Sequence, residues 1–470
     1  MALVPLPLHG SDHRPDGWRG ASAQDAHAPI EDGDPTILHG EVGGALVRRS
    51  VLPGGVRVLT EAMPGQRSAT IGFWIGVGSR DEAAGQHGST HFLEHLLFKG
   101  TRRRTALEIA SAFDEVGGES NAATAKENTC YFARVLDSDL DLAIDVIADM
   151  VTSAVLDEDE LEQERSVILE EIAMDGDDPA DVAHEKFVAA VLGEHALGRP
   201  IGGTPEVILA IGRDAVVDHY RRYYTPDELV ITAAGSLDHD AVCARVLEAL
   251  REAGWDLDGA AIPAPRRSTE PAEIQGQHTM DVIRRPVEQA NIIMGCPGIV
   301  ATDDRRHTMS VLNAVLGGGM SSRLFQEIRE KRGLVYSTYS FSAAYSDAGY
   351  FGMYAGCSPA KTGQVIALLA QELDQLAADG ITEEELRKAV GQLSGGMVLA
   401  LEDPGSRMSR LGRAELVTGV FQDIDESLAR IRAVTRQDVQ DLARELAGRR
   451  RTVTVVGPFD APEDFGFTRP

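Results

Sequence analysis

The chain of 470 residues runs twice through a similar order of predicted elements, on either side of a stretch rich in Pro, Ala and charge at residues 257–273. In the first half, the strand "SATIGFWIGVGS" is followed by helical patterns, an alternating β-type run and the closing strand "LVITAAGS". In the second half, the strand "ANIIMGCPG" is followed by two helices, two strands, further helical stretches and the closing strand "RTVTVVGP". Two halves of about 200 residues with similar element order indicate an internal duplication.

This duplication predicts an α+β fold of two similar domains, each a mostly antiparallel sheet with helices packed on one side. Residues 1–44 mix Gly, Pro, His, Asp and Ser without periodicity, which predicts a disordered tail. We assign residues 45–256 to the N-terminal domain, residues 257–273 to a linker and residues 274–470 to the C-terminal domain.

Charge and hydropathy exclude two classes of partner. The net charge is −28, from 45 basic and 73 acidic residues, and it repels polyanions, so nucleic acid is not an expected partner. No apolar run approaches the roughly 20 residues that a membrane-spanning helix needs. The opening "MALVPLPLHG" lacks the charged and apolar regions of a secretory signal, so we predict a cytoplasmic protein.

The stretch "GSTHFLEHLLFKG" carries His91, Glu94 and His95 among large apolar residues. On a helix these positions lie within one narrow sector, because steps of three and four residues nearly complete a turn. Two imidazoles at i and i+4 can bind one Zn²⁺, and a carboxylate between them can act as a general base. The alternative is that both histidines are hydrogen-bonded core residues.

A catalytic zinc ion usually takes a third protein ligand, and the acidic helix predicted over "DEDELEQERSVILEEIAMDG", ending at Gly176, offers one. At 100° per residue, Glu164 and Glu171 fall inside its apolar stripe, whereas Glu162 and Glu170 fall outside. A carboxylate on a buried face is costly unless it is paired or metal-bound, so Glu164 and Glu171 are the candidates. The stripe consists of Leu161, Val167, Ile168 and Ile172.

The segment "HFLEH", together with "ERSVILEEIAM" in which Glu171 stands 76 positions after His95, resembles the inverted zinc motif of the pitrilysin/insulinase family. The resemblance implies that His91, His95 and Glu171 bind one Zn²⁺ per chain and that Glu94 is the general base. It further implies that Glu164 supports these ligands without binding the metal. Glu170 is the alternative third ligand, but the helical phase and the family spacing both favour Glu171.

The stretch "LGGGMSSRLFQEIREKRGLVYS" in the second half resembles the glycine loop and the arginine/tyrosine pair of the same family. The pair is Arg329 and Tyr336, seven positions apart. A cation and a phenol placed over the metal would hold the substrate backbone and stabilise the oxyanion of a tetrahedral intermediate. The alternative is that Tyr336 begins a strand and Arg329 lies on the surface of a helix.

The stretch "GGESNAATAKENTCYF" resembles the family's edge strand, on which substrate is laid as an added β-strand. That mode of binding reads backbone geometry and therefore tolerates many peptide sequences. Asn121 and Ala122 are the candidate substrate-binding residues, and a purely structural strand is the alternative.

The resemblance covers residues 45–457 and is nearest to short bacterial enzymes related to the catalytic subunit of mitochondrial processing peptidase. It implies a zinc metalloendopeptidase that hydrolyses unfolded peptides. Family enzymes of this type close a chamber from four similar domains, and two per chain imply a homodimer with a composite active site. One alternative is a heterodimer with a separate glycine-loop partner. The other is a non-catalytic scaffold or substrate-holding subunit of the same family.

Overall fold

The computed structural model describes residues 3–8, 36–40, 45–257, 262–274 and 280–466. The strands in these ranges are β1 (Val4–Pro5), β2 (Thr36–Gly40), β3 (Leu46–Val51), β4 (Arg57–Ala62), β5 (Ser68–Ile75), β6 (Glu119–Thr124), β7 (Thr129–Leu136), β8 (Leu229–Gly235), β9 (Met280–Arg284), β10 (Ala290–Pro297), β11 (Val335–Ala344), β12 (Gly349–Cys357), β13 (Val420–Phe421) and β14 (Thr452–Gly457).

The α-helices in the same ranges are α1 (Ser89–Leu97), α2 (Ala106–Glu115), α3 (Leu140–Ser153), α4 (Glu158–Asp177), α5 (Pro179–Leu192), α6 (Pro205–Ala210), α7 (Arg213–Tyr223), α8 (His239–Glu252), α9 (Arg306–Gly317), α10 (Thr362–Asp379), α11 (Glu383–Ala400), α12 (Pro404–Arg413), α13 (Ile424–Ala433) and α14 (Arg436–Gly448). Two π-helical turns occupy Phe325–Glu330 and Ala414–Thr418. None of the described helices is both long enough and apolar enough to cross a membrane.

The chain divides into two compact units. Unit 1 comprises Met1–Glu170, Pro200–Arg267 and Leu399–Asp423, and unit 2 comprises Glu171–Arg199, Ser268–Val398 and Ile424–Pro470. The described residues of unit 1 include a seven-stranded sheet in the order β2-β3-β4-β8-β5-β7-β6, and those of unit 2 a five-stranded sheet in the order β11-β12-β10-β14-β9.

Both sheets contain the same pairing pattern. Three antiparallel pairs, β6/β7, β7/β5 and β5/β8, precede the parallel pair β8/β4 in unit 1. The pairs β11/β12, β12/β10 and β10/β14 precede the parallel pair β14/β9 in unit 2. Each sheet is therefore mostly antiparallel, and the structure confirms the predicted α+β fold of two similar domains.

Each sheet also carries one helix contributed by the other half of the sequence. In unit 2, Ile292 and Met294 of β10 pack in a core with α9, α10 and α14, whereas Ile293 packs with Val182 and Phe187 of α5. Because successive side chains of a strand point to opposite faces, α5 covers the second face of that sheet.

Helix α12 takes the corresponding place in unit 1. Its apolar residues Met408 and Leu411 pack in clusters that Trp74 of β5 also contacts. Arg407 and Arg410 of the same helix form ion pairs with the buried Glu61 of β4. The units therefore differ from the two continuous domains predicted over residues 45–256 and 274–470, because α5 and α12 pack on sheets of the opposite half.

A buried carboxylate fixes the segment that follows α12. Glu415 is 0% exposed and accepts from Arg49 Nε at 2.9 Å and from Arg266 Nη2 at 2.7 Å, with Arg57 Nη1 3.9 Å away. Although burial opposes the charge, the guanidinium groups of Arg49 and Arg266 lower the pKa of Glu415 to about 2. The carboxylate stays ionised and ties the segment to β3 and β4.

Two predicted irregular regions contain ordered structure. Val4–Pro5 pairs with β13 and Thr36–Gly40 pairs with β3, so these parts of the predicted tail are strands; residues 9–35 and 41–44 lie outside the described ranges. Within the predicted linker, Arg266 binds Glu415 as above, and Arg267 Nη1 contacts Asp81 Oδ1 at 2.6 Å. Residues 262–267 therefore pack on unit 1.

Candidate metal centre

Helix α1 is oriented by its apolar face and by a buried carboxylate at its first turn. Phe92 and Leu93 are 0% exposed, so the polar positions point to the opposite side. The helix begins after Gly88, whose φ of 95° favours glycine, and Glu82 accepts from the backbone N–H groups of Gly88 and Thr90 at 2.8 Å each. A carboxylate at this end satisfies free N–H groups and complements the helix dipole.

The structure brings together His91, His95 and Glu171. One ligand atom from each lies within 4.8 Å of the other two. The two histidines are one turn apart on α1, and Glu171 lies on the continuous helix α4. All three side chains are half-buried. Within the described ranges no other group of three His, Cys, Asp or Glu side chains has this geometry.

The spacing of the donor atoms suits zinc. His95 Nε2 lies 3.3 Å from His91 Nε2. Two nitrogens about 2.0–2.1 Å from a tetrahedral ion are about 3.3–3.4 Å apart. Two imidazoles and one carboxylate form a donor set typical of catalytic zinc, which keeps its fourth position for water or substrate. The residues present therefore fit the ion.

Glu164 lies beside this group and not within it. It is 5% exposed, and its Oε2 lies 3.0 Å from Nδ1 of His95 while its Oε1 lies 2.5 Å from Nζ of Lys99. A carboxylate bonded to the far nitrogen of a ligating histidine holds the ring and raises its basicity. Glu164 therefore lies where it can hold the His95 ring, and its role toward a metal stays a prediction.

Glu94 is half-buried on the same side of α1 and accepts a hydrogen bond from the Thr124 hydroxyl. Thr124 is the last residue of β6. Burial, reinforced by the negative charge of Glu94, raises the pKa of the nearby Cys130 thiol well above its usual range. The Tyr131 phenol is likewise held protonated, since burial raises its pKa. The Glu94 carboxylate therefore lies at the end of β6, beside a thiol and a phenol that burial keeps protonated.

Strand β6, which carries Asn121 and Ala122, lies at the edge of the unit 1 sheet and pairs with β7 alone among the described strands. Its residues alternate between exposed and half-buried along the strand. Oδ1 of Asn121 accepts from the N–H of Ala122 at 2.8 Å. An edge strand beside α1 has the geometry needed to accept an additional strand.

Arg329 and Tyr336 come together in unit 2. The guanidinium carbon of Arg329 lies 5.6 Å from the Tyr336 ring centroid and 4.5 Å from that of Phe325. The pairing of β11 with β12 shifts between Val335 and Ser337, so Tyr336 is the extra residue of a bulge and is 80% exposed. Tyr336 is the second residue of β11, so it lies near the start of a strand as the structural alternative predicted, and its side chain is exposed.

Helix α4 follows most of its predicted phase. Leu161 and Ile168 are buried together with Glu164, and Glu162 and Glu170 are exposed. The prediction was wrong for Val167, which is 42% exposed. The buried stripe is narrower than predicted, because the buried residues of α4 lie at positions 161, 164 and 168 and position 167 falls to the side of that line.

Three contacts of this region were missed by sequence reasoning. Lys99 stands four residues after His95, the spacing of neighbours on a helix, but it lies just beyond the end of α1, so the pattern contained only part of its signal. Thr124 and Glu82 had no such signal, because their partners depend on how a strand end and a loop pack against α1.

Comparisons with known proteins give two sets of matches. The family model described as "Insulinase (Peptidase family M16)" matches residues 57–205, and the model described as "Peptidase M16 inactive domain" matches residues 210–393. An uncharacterized zinc protease of Streptomyces coelicolor is 51% identical over 90% of this chain and 92% of its own length. An uncharacterized zinc protease of Bacillus subtilis is 39% identical over 88% of this chain and 98% of its own.

Solved structures share the fold at lower identity. A crystal structure titled as a peptidase M16 inactive domain from Pseudomonas fluorescens matches with a TM-score of 0.79 at 20% identity, covering 88% of this chain and 99% of that chain. A protease from Helicobacter pylori matches with a TM-score of 0.77 at 22% identity, over the same shares of the two chains.

Proposed function

Since this chain belongs to the insulinase (peptidase M16) family, we propose that it is a zinc-dependent endopeptidase acting on unfolded peptides. The observation that carries the proposal is the convergence of His91, His95 and Glu171. Glu94 lies on the same helix, three residues after the first histidine and directly before the second. In this proposal the three converging residues hold one zinc ion per chain, and Glu94 is the general base.

When bound, zinc would supply a Lewis acid that makes water nucleophilic near neutral pH. Glu94 takes a proton from the attacking water and returns it to the leaving amine. Thr124 holds the Glu94 carboxylate in place through its hydroxyl. Because Thr124 ends β6, the base and the edge strand share a single wall of unit 1.

The peptide would bind as an added strand along β6. Backbone groups near Asn121 and Ala122 would pair with it, so selection would depend on an extended, unfolded backbone more than on side chains. Arg329 and Tyr336 would bind the substrate backbone and donate to the developing oxyanion. Their mutual contact and the exposure of Tyr336 support this role.

The test measures zinc content and cleavage of a mixed peptide library by the wild type and by Glu94→Gln. Both proteins should hold about one zinc per chain, and only the wild type should cut. A general base contributes roughly 10²–10⁴-fold, so the variant should fall near the detection limit. If both proteins bind zinc, remain folded and cut nothing, the non-catalytic scaffold or an incomplete heterodimer replaces this proposal.

We further propose that the active enzyme is a homodimer, in which unit 1 of one subunit faces the Arg329/Tyr336 pair of the other. The proposal follows from the family's four-domain chambers and the two similar domains of this chain. Mixing inactive Glu94→Gln subunits with Tyr336→Phe subunits should then restore some activity, because one mixed site is intact. A fully active monomer in gel filtration would refute this arrangement.

A further inference from the structure

We infer that Lys99 is a positioning residue for zinc binding, acting on His95 through Glu164. The inference rests on the proposed zinc site and extends it to a residue outside the ligand set. Lys99 follows the end of α1, and its N–H donates to Leu96 O at 3.1 Å, so its backbone continues the turn that carries His95.

The contacts form one chain of three side chains. Lys99 Nζ lies 2.5 Å from Oε1 of Glu164, and Oε2 of Glu164 lies 3.0 Å from Nδ1 of His95. Each carboxylate oxygen therefore has its own partner, one on each side. Because a carboxylate can only accept, Nδ1 of His95 donates, and Nε2 is left facing His91.

Burial makes the lysine necessary to this geometry. The Glu164 side chain is 6% exposed, whereas the Lys99 side chain is 32% exposed. A buried carboxylate is costly without an opposite charge, and an imidazole that binds zinc does so in its neutral form and provides none. Without Lys99, Oε1 would lose its only charged partner in the described contacts. Turning the carboxylate toward water would then lower its free energy, because water would solvate the charge. The His95 ring would then lose the acceptor that fixes its orientation.

The test measures zinc affinity of the full-length protein by competition with a fluorescent chelator, without any peptide. The variants are Lys99→Met, Lys99→Gln, Lys99→Arg, Glu164→Gln and the Lys99→Met/Glu164→Gln double variant. Loss of a group that orients a ligand typically costs about 10–100-fold in metal affinity. We expect Lys99→Met and Lys99→Gln to weaken zinc binding about tenfold and Lys99→Arg to restore it to within about threefold.

The double variant separates positioning from a general effect. If Lys99 acts through Glu164, the double variant should bind zinc no more weakly than Glu164→Gln alone. The matched control is Lys388→Met, which removes a lysine from an exposed i,i+4 pair with Glu384 on α11 and should leave zinc affinity unchanged. Circular dichroism of each variant confirms folding, and the two neutral replacements guard against one misfolding.

Wild-type affinity in both neutral variants, or additive losses in the double variant, would overturn the inference. The failure of the peptidase proposal gives a different result. If the wild type binds zinc and the Lys99 variants bind it more weakly as predicted, but the wild type cuts no peptide, only the enzymatic proposal fails. If the wild type binds no zinc, both fall.

Discussion

Helix α1 of unit 1 and helix α9 of unit 2 occupy the same place in the shared strand order, between β5 and β6 and between β10 and β11, and carry different side chains. Each contacts the edge strand of its own sheet. Helix α1 presents His91, Glu94 and His95, whereas the buried residues of α9 are apolar, apart from Thr308 and the terminal Gly317. The same fold thus carries a cluster of candidate metal ligands in one half and a helix with an apolar buried face in the other.

The glycines at the end of α9 show what the second half retains instead. A Cβ on Gly317 would lie 2.1 Å from the backbone N of Ser340, so only glycine lets the helix approach β11 this closely. Beyond it, the bulge at Tyr336 turns that ring outward beside Arg329. One edge strand thus has the Glu94 carboxylate beside it, and the other has the Arg329 guanidinium and the Tyr336 phenol.

The largest expected effect comes from removing one of the candidate zinc ligands on α1. His95→Ala should reduce bound zinc from about one per chain to near zero and abolish peptide hydrolysis, because two protein ligands hold zinc weakly. His307→Ala, the matched change on α9, should leave zinc content unchanged. Metal analysis of the two purified variants measures both. Loss of zinc in His307→Ala would break the comparison.

The next largest effect concerns stability and compares the segment that follows α12 in unit 1 with helix α5 in unit 2. Glu415→Gln leaves the buried Arg49 and Arg57 without their counter-charge and should lower the free energy of unfolding by about 3–5 kcal/mol. His184→Gln on α5 removes three aromatic ring contacts and one hydrogen bond to Tyr339, and should cost about 1 kcal/mol. Urea denaturation followed by circular dichroism compares them. Equal losses would show that the two contacts stabilise their units alike.

The same carboxylate predicts a pH dependence. Its pKa is about 2 in the folded protein against an ordinary value of 4.5, so its contribution is fully present above about pH 4.5. That contribution should decline as the pH falls from 4.5 toward 2. In Glu415→Gln this part of the acid sensitivity should be absent. An unchanged slope of stability against pH in the variant would contradict the assignment.

A smaller effect is expected at the second edge strand. Tyr336→Phe removes a phenol proposed to donate to the oxyanion and should lower kcat/KM about 10²-fold while zinc content stays at the wild-type level. Steady-state kinetics on one defined peptide measure the loss. Wild-type kinetics would leave the bulge at Tyr336 a structural feature only.

The first edge strand should respond more weakly still. Thr124→Val removes the hydroxyl that holds Glu94 and should lower kcat about tenfold with little change in KM, since the base is misplaced but β6 is intact. Thr124→Ser retains the donor and should remain near the wild type. A rise in KM without a fall in kcat would assign Thr124 to substrate binding instead.

The smallest effect tests strand addition. Asn121→Ala frees the N–H of Ala122 from its side-chain acceptor, so an incoming peptide no longer has to displace that bond. We expect KM to fall about two- to threefold, the scale of one exchanged hydrogen bond. A KM that rises would mean that the Asn121 side chain itself contacts substrate.

Periodicity and turn residues were enough to predict the duplicated α+β order, because each element depends on its own sequence. The helical phase also placed Glu164 toward the core. The packing of α5 and α12 on the sheets of the opposite halves could not be predicted. An apolar face such as that of Phe187 does not specify which sheet it covers. The exposure of Val167 was missed for the same reason.

The residues of the candidate site likewise fall into those that could be found from the sequence and those that could not. His91, Glu94 and His95 could be grouped from spacing alone, and Glu171 required the family resemblance in addition. Thr124 could not be found, because its contact with Glu94 joins a strand end to a helix 30 residues earlier. Contacts that depend on tertiary packing have no signature in local sequence.

The most direct test of the central claim is a crystal structure of the purified protein with an anomalous difference map at the zinc edge. The claim predicts one strong peak per chain, within coordination distance of His91, His95 and Glu171 and separated from Glu164. A peak elsewhere in the chain, or no peak in protein that still hydrolyses peptides, would contradict it.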